Sequence, residues 1–291
     1  MAKPRTLESK ELKKFLSTSK RDTRLMGAIE RHVLSKPFDS RNMEVIHPSD
    51  IIKPEWCALA QYHALLGNYK EVREKPALRL ASIFAEGHTI HAKWQSWLEE
   101  MGVLYGKWYS PINKDYTWDT STNLVGLLNK EYKEVPLTSA KHRISGHADG
   151  WVKGLGDDFL IEIKSIGVGT LRFEAPALLA QADNDLEKAW KNIKTPFRAH
   201  LLQGQVYLHL CHLMVEQGLL PNAPKEIVFI YELKANQDYK EFIVQYNPEF
   251  TQEIFDKALD VAWAVDNNRP PVCSINAVKG CERCAPFKEE K

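Results

Sequence analysis

Asp149, Glu162 and Lys164 are the residues of this chain whose types and spacing most directly suggest chemistry. They lie in the stretch from Ile144 to Ile166, ISGHADGWVKGLGDDFLIEIKSI. Phe159, Ile161 and Ile163 alternate with Leu160, Glu162 and Lys164, which predicts a strand with one apolar face and one that ends in charge. Gly154-Leu155-Gly156-Asp157 is turn-prone, so the stretch reads as a β-hairpin. A turn centred between Leu155 and Gly156 sets Asp149 opposite Glu162. Directly opposed residues have Cβ atoms roughly 5 Å apart, and two like charges there are destabilising. A divalent cation between them reverses the sign of that interaction. Register is the condition, because a slip of one residue moves Asp149 to the other face.

Carboxylate oxygens suit hard ions such as Mg²⁺ or Mn²⁺. One or two such ions activate a water, neutralise a phosphate and stabilise a leaving oxygen, which is what phosphodiester hydrolysis requires. Lys164 shares the strand face of Glu162, where its ammonium can orient the water or steady the charge of the transition state. Glu-x-Lys is also the pattern of a charged, solvated strand. Two more features bear on the choice. His91, in Gly87-His88-Thr89-Ile90-His91, is either a core histidine or a metal ligand. Gln203 and Tyr207 stand i, i+4 on one helix face, as a site-lining pair or as part of an ordinary amphipathic helix.

The elements that must position these residues follow from hydrophobic period and from breakers. Residues 7–34 read as helical, and a short helix covers about 55–66 after the break His47-Pro48-Ser49-Asp50. A long helix runs from Leu78 to Met101. Leu80, Phe84, Ile90, Trp94, Trp97 and Met101 form its apolar stripe, which also carries Gly87 and His91. From about 124 the period becomes two, giving strands at 124–137, 142–152 and 158–164. Helices are expected at about 185–194 and 198–217, strands at 226–233 and 240–246, and a helix from Pro248 to Asp266. That order predicts a mixed α/β (α+β) core with a helical N-terminal region.

The chain has 291 residues, long enough for one large domain or two small ones. Its net charge of +1 does not announce a nucleic-acid partner. Residues 1–36, however, hold ten Lys or Arg against four Asp or Glu, a basic arm on an acidic body. No apolar run approaches the roughly 20 residues that span a bilayer, so no membrane association is expected. MAKPRTLESKELKK lacks an apolar segment after its charges, so no secretory signal is expected and cytoplasmic residence is.

The five cysteines are Cys57, Cys211, Cys273, Cys281 and Cys284. Without a secretory signal, clustered cysteines point to metal rather than disulfides. The last three could bind Zn²⁺ with a fourth ligand, join Cys57 around an iron–sulfur cluster, or be free thiols. Cys211, between Leu210 and Leu213, reads as core.

Gly87-x-x-x-His91, Gly146-x-x-Asp149, Glu162-x-Lys164 and Gln203-x-x-x-Tyr207 stand in the order found in the RecB-like branch of the PD-(D/E)XK nuclease superfamily. Over about residues 46–287 the chain resembles that branch. The resemblance implies a restriction-endonuclease-like core, a central mixed sheet flanked by helices. It implies that His91, Asp149, Glu162 and the backbone carbonyl of Ile163 bind Mg²⁺ or Mn²⁺, and that Lys164 is the catalytic lysine. Gln203 and Tyr207 would position the scissile DNA and brace the site. The cysteine order further resembles the iron–sulfur members of the branch. These are the CRISPR-associated exonucleases, their phage relatives and the AddB subunit of helicase–nucleases, with one cysteine before the motifs and three after. On that resemblance Cys57, Cys273, Cys281 and Cys284 would hold a [4Fe–4S] cluster. The wide gap here comes first and the close pair second, which departs from the usual spacing and keeps Zn²⁺ as the alternative.

The expectation is therefore a basic helical extension over 1–45 and a nuclease domain over 46–291 closed by the cysteines. Its activity would be metal-dependent DNA exonuclease on single strands or duplex ends, in recombination, repair or DNA processing. The rivals are an endonuclease of the same superfamily and a non-catalytic DNA-binding protein with zinc at the cysteines. DNA is the expected partner, with a recombination or replication protein as a second candidate.

Overall fold

The computed structural model describes residues 24–36, 41–68, 77–121, 130–273 and 281–287. Helices α1 (Arg24–Ser35), α2 (Pro48–Ile51), α3 (Ala58–Leu65) and α4 (Leu78–Glu100) come first. Strands follow: β1 (Leu104–Ser110), β2 (Asp115–Thr120), β3 (Glu131–Tyr132), β4 (Val135–Ser139), β5 (Ile144–Ala148), β6 (Gly150–Val152) and β7 (Phe159–Ile166). Helices α5 (Val168–Glu174), α6 (Pro176–Gln181), α7 (Leu186–Asn192) and α8 (Arg198–Glu216) lead to β8 (Glu226–Leu233) and β9 (Tyr239–Gln245). Helix α9 (Gln252–Asp266) comes next. No described helix is long and apolar enough to cross a membrane.

The chain divides into two compact units, Met1–Ser40 with Arg73–Phe84, and Arg41–Val72 with Ala85–Lys291. Within its described residues the first contains α1 and the first turns of α4. The second holds the sheets, and everything below concerns it.

β7 (FLIEIKSI) and β8 (EIVFIYEL) are nearly continuous apolar runs, as strands covered on both faces need to be. They pair in parallel from Leu160–Ile227 to Ile166–Leu233. A parallel neighbour requires a crossover, which α5 to α8 supply. The other pairings are antiparallel, giving a mixed sheet in the order β2-β1-β6-β7-β8-β9 with β3 against β1. β4 and β5 form a separate two-stranded sheet.

Helices cover both faces of the mixed sheet. On one, Leu160, Ile166, Phe229 and Tyr231 pack with Val206, Leu208 and Leu210 of α8. On the other, Val152, Ile161, Ile163 and Val228 pack with Ile90, Trp94 and Leu98 of α4. Gly204 sets how closely α8 approaches: a Cβ there would lie 2.6 Å from the Phe229 ring. The fold is the expected mixed α+β class, a central mixed sheet flanked by helices.

Several local expectations need correction. The period-two region begins before residue 124, because β1 and β2 form a hairpin from Leu104 to Thr120. Residues 124–129 of the expected strand 124–137 lie outside the described residues, as do residues 7–23 of the expected first helix; β3 and β4 cover the remainder of that strand. The expected single strand 142–152 breaks at Asp149, with β5 pairing to β4 and β6 pairing to β7. The apolar stripe of α4 does not dock as one face. Ile90 is buried, but Trp97 is 46% and Met101 56% exposed, because the helix turns Ile90, Trp94 and Leu98 toward the sheet. Helices α5 and α6 were not expected.

Candidate active site

The β6–β7 ladder pairs Gly150 with Ile161, Trp151 with Leu160 and Val152 with Phe159. This is the expected register, and it brings Asp149 level with Glu162. The strand leaves the sheet there. Asp149 Oδ2 accepts a 2.6 Å hydrogen bond from the Ile163 amide, so the carboxylate takes the donor that the next rung would have used. In a strand the amide and carbonyl of one residue point to the same side. The Ile163 carbonyl therefore faces Asp149 as well.

Asp149 is otherwise held by α4. Its Oδ1 lies 3.1 Å from His91 Nδ1, and its backbone carbonyl accepts from Gln95 Nε2 at 2.9 Å. Glu162 and Lys164 project from β7 toward α8. Lys164 Nζ donates to Glu162 Oε1 at 2.7 Å and to Gln203 Oε1 at 3.1 Å, and Gln203 Nε2 donates to the Tyr207 hydroxyl at 2.8 Å. Gly146 explains its place near the set: a Cβ would lie 2.8 Å from Pro48 and 3.2 Å from the Tyr207 ring. The structure thus brings His91, Asp149, Glu162, Ile163, Lys164, Gln203 and Tyr207 together.

The electrostatics show a site short of positive charge. Burial, then the charge of Asp149, pushes the Glu162 carboxyl well above the usual carboxylate range. Glu162 is 3% exposed, and its Oε2 has no hydrogen-bond partner among the described residues. A buried acceptor without a partner costs free energy on the order of 1–3 kcal/mol, and more when it is charged. Burial works against a charged His91, but the hydrogen bond and charge of Asp149, and the charge of Glu162, raise its pKa all the same. Lys164 is likewise raised by Glu162 and Asp149 against its burial. An acidic oxygen without a partner beside a second carboxylate is the donor chemistry that suits a hard divalent cation, and the His91 imidazole borders it through Asp149.

Three neighbours escaped the sequence reading. Gln95 lies one helical turn after His91, a spacing that could have drawn attention. His200 precedes Gln203 by three residues on α8 and bonds through Nδ1 to the Tyr231 hydroxyl, which also accepts from the Phe197 amide. Burial, then the charge of Lys164, lowers the His200 pKa to about 3, so the imidazole is neutral. Glu134, just before β4, is pushed up to about 7 by burial and by Asp149. No spacing in the sequence marks it.

Cys57, Cys273, Cys281 and Cys284 also come together, with Sγ atoms all within 4.8 Å of one another, so the group could hold a metal. Cys57 stands at the N-terminus of α3, and Arg283 reaches Glu55 at 3.7 Å beside it. The ring of Phe287 stacks on His63 at 3.9 Å. Burial raises the thiols of Cys57 and Cys284. At Cys281 burial acts the same way, but hydrogen bonds from the Cys284 amide, the Cys284 and Cys57 thiols and the Arg283 amide together outweigh it and bring the thiol to about 7. One tetrahedral ion with metal–sulfur bonds of about 2.3 Å holds its thiolates roughly 3.8 Å apart. Cys57 and Cys273 are 3.7 Å apart. No pair of the four Sγ atoms is more than 4.8 Å apart. Cys211 is fully buried in the core, as expected.

No protein-family model matches this chain, and no curated protein matches it. Among solved structures it is similar to SSO0001, at 14% identity over 82% of this chain and 87% of that one, with a TM-score of 0.38. It is also similar to LHK-Exo, an alkaline exonuclease from Laribacter hongkongensis, at 11% identity over 78% and 90%, TM-score 0.42. LHK-Exo in complex with dAMP gives 12% identity over 78% and 90%, TM-score 0.41. These likenesses are too loose to assign a function.

Proposed function

We propose that the chain is a divalent-metal-dependent nuclease that hydrolyses phosphodiester bonds of DNA. It acts as an exonuclease of the RecB-like PD-(D/E)XK kind, on single strands or duplex ends, in the cytoplasm, where recombination and repair expose such ends. One observation carries the reading. Side chains from α4, the β5–β6 break, β7 and α8 converge on Glu162, whose buried Oε2 has no partner among the described residues. A charged strand face in solvent would not be 3% exposed and would not leave that oxygen dry.

Asp149, Glu162, His91 and the Ile163 carbonyl hold the cation. Bound Mg²⁺ or Mn²⁺ supplies a nucleophile at neutral pH and neutralises charge on the phosphate. Lys164, aimed by Gln203, orients the attacking water and stabilises the negative charge that grows on the phosphate. Tyr207 fixes Gln203, and the pair positions the scissile strand. Because Asp149 and Glu162 raise the His91 pKa against its burial, a proton would compete with the cation for this imidazole, and cation affinity would rise with pH. The four cysteines hold a structural metal. Their spacing favours one zinc ion over the [4Fe–4S] cluster that the resemblance implies. A colourless protein with about one zinc supports this, and a brown protein absorbing near ~400 nm overturns it.

The catalytic test uses Asp149→Ala, Glu162→Ala and Lys164→Ala. Each abolishes Mn²⁺-dependent degradation of end-labelled DNA while the protein stays folded by circular dichroism. Undiminished degradation by all three refutes the assignment. Circular single-stranded DNA survives an exonuclease and is cut by an endonuclease. DNA binding insensitive to Asp149→Ala, with no turnover under any divalent metal, would instead mark a binding protein.

A further inference from the structure

The β1–β2 hairpin turns one face inward and leaves the other open. Leu104, Gly106, Trp108 and Ser110 are the buried side of β1. The other side carries Tyr105, Lys107 and Tyr109, and β2 sets Trp118 opposite Lys107 and Tyr116 opposite Tyr109. Tyr116 is 56% and Trp118 39% exposed, so this face meets solvent with aromatic rings. Centroids of Tyr109 and Tyr116 lie 5.0 Å apart, and those of Tyr105 and Trp118 5.8 Å. Cross-strand pairs stiffen a hairpin, but β-branched residues do so without holding indole and phenol rings in water.

Lysines lie over these rings. Lys107 Nζ stands 4.3 Å from the Tyr116 centroid, Lys153 Nζ 3.6 Å from Tyr105 and Lys133 Nζ 5.8 Å from Tyr109. Glu131 pairs with Lys133 at 2.7 Å, and Asp158 with Lys153 at 3.8 Å. Lys107 makes no ion pair among the described residues. Asp115 and Asp119 of β2 stand opposite Ser110 and Gly106, on the other face. The open face is therefore aromatic and carries an uncompensated cation.

It also leads to the candidate active site. Tyr105 pairs with Trp151 and Trp151 with Leu160, so the three share one side of the sheet. Glu162 and Lys164, two and four residues on from Leu160, share that side as well. Lys107 bridges the two regions. Its amide donates to the Glu134 carbonyl at 2.9 Å, just before β4. Burial, then the charge of Lys107, lowers the pKa of His147, two residues before Asp149.

We propose that the open face of the β1–β2 hairpin is a docking strip for single-stranded DNA that leads to Glu162 and Lys164. Bases stack on Tyr116 and Trp118, and the lysine ammoniums move from the rings to phosphates. Every base has a π-face, so such a strip is indifferent to sequence. A duplex hides those faces between its base pairs, so the rings select unpaired strands. The inference deepens the nuclease reading and rests on it for the choice of DNA, naming the single strand as the substrate.

The test is fluorescence anisotropy of the full chain with a labelled oligonucleotide, in divalent-free buffer so that no strand is cut. Wild type should bind the single strand about ten-fold tighter than its duplex, or than an abasic strand with the same phosphates. Tyr116→Thr combined with Trp118→Thr should weaken single-strand binding about ten-fold and leave abasic binding unchanged. Lys107→Gln keeps every ring, and serves should the double variant misfold. It should weaken both strands alike and lower the salt slope by about one. Equal wild-type affinity for single strand, duplex and abasic strand overturns the proposal, as does a Lys107→Gln variant with unchanged affinity and salt slope. A chain that binds single strands through the hairpin yet degrades no DNA with Mn²⁺ keeps this inference and loses the nuclease reading. Mn²⁺-dependent degradation by a chain whose strand affinity ignores the hairpin variants does the reverse.

Discussion

Replacing Glu134 by Gln should make the metal-free protein more stable, and the gain should depend on pH. Burial and Asp149 raise the Glu134 carboxyl from its ordinary 4.5 to about 7. In the unfolded chain the proton leaves near the ordinary value, while the folded chain keeps it up to about pH 7. Between those limits the folded state binds more protons, so stability falls as pH rises. The full difference corresponds to roughly 3 kcal/mol. Residual solvent contact and relaxation of neighbours bring the expected gain for Glu134→Gln down to about 2 kcal/mol. That is a rise in Tm of roughly 3 °C for a chain of 291 residues. The gain should be small at about pH 5 and complete by about pH 8. His142, lowered to about 4 by burial and then Lys141, and His200, lowered to about 3, stay neutral in the fold and push total stability the other way in acid. Only the difference between variant and wild type isolates Glu134. Calorimetric unfolding should be done in divalent-free buffer without chelator, which would strip the cysteine cage. A variant no more stable than wild type at about pH 8, or a gain that ignores pH, would refute the reasoning.

Two further outcomes can be checked independently. Gly146→Ala puts a methyl 2.8 Å from Pro48 and 3.2 Å from Tyr207, which should cost about 1–3 kcal/mol in urea unfolding and lower Mn²⁺-dependent DNA degradation by loosening Gln203. Full activity in a destabilised variant would show that Tyr207 does not brace the site. Cys284→Ser should remove the bound metal by elemental analysis and destabilise the fold by several kcal/mol, whereas Cys211→Ser, in the core, should leave metal content unchanged.

The β6–β7 register was legible because Gly154-Leu155-Gly156-Asp157 localises the turn and alternation fixes the faces. β8, α8 and α9 were legible for a similar reason, having strong periods and clear breakers. The break at Asp149 was not. Alternation continues through 144–152, and the strand ends only because the Asp149 carboxylate finds the Ile163 amide across the sheet. β1 and β2 were missed because their face is built from Tyr105, Lys107, Tyr109, Tyr116 and Trp118, where lysines lie over aromatic rings and the apolar pattern is diluted. Without β1 there was no partner for the backbone of Glu134, whose carbonyl accepts from the Lys107 amide, so Glu134 stayed invisible although the charge of Asp149 acts on it. The four cysteines were legible from type and clustering, and the size of their cage was not.

The cysteine cage also has a place in time. Cys57 and Cys273 are 216 residues apart in sequence yet in contact in the fold. During synthesis at about 5–20 residues per second, Cys57 waits roughly 10–45 s before Cys284 exists. Through that interval the sheet, α8 and the carboxylate pair can already form, while the first thiol stands alone and open to any passing metal or oxidant. The cage is thus a late event by construction, and a metal bound in it would mark a chain that has been made and folded through to Cys284.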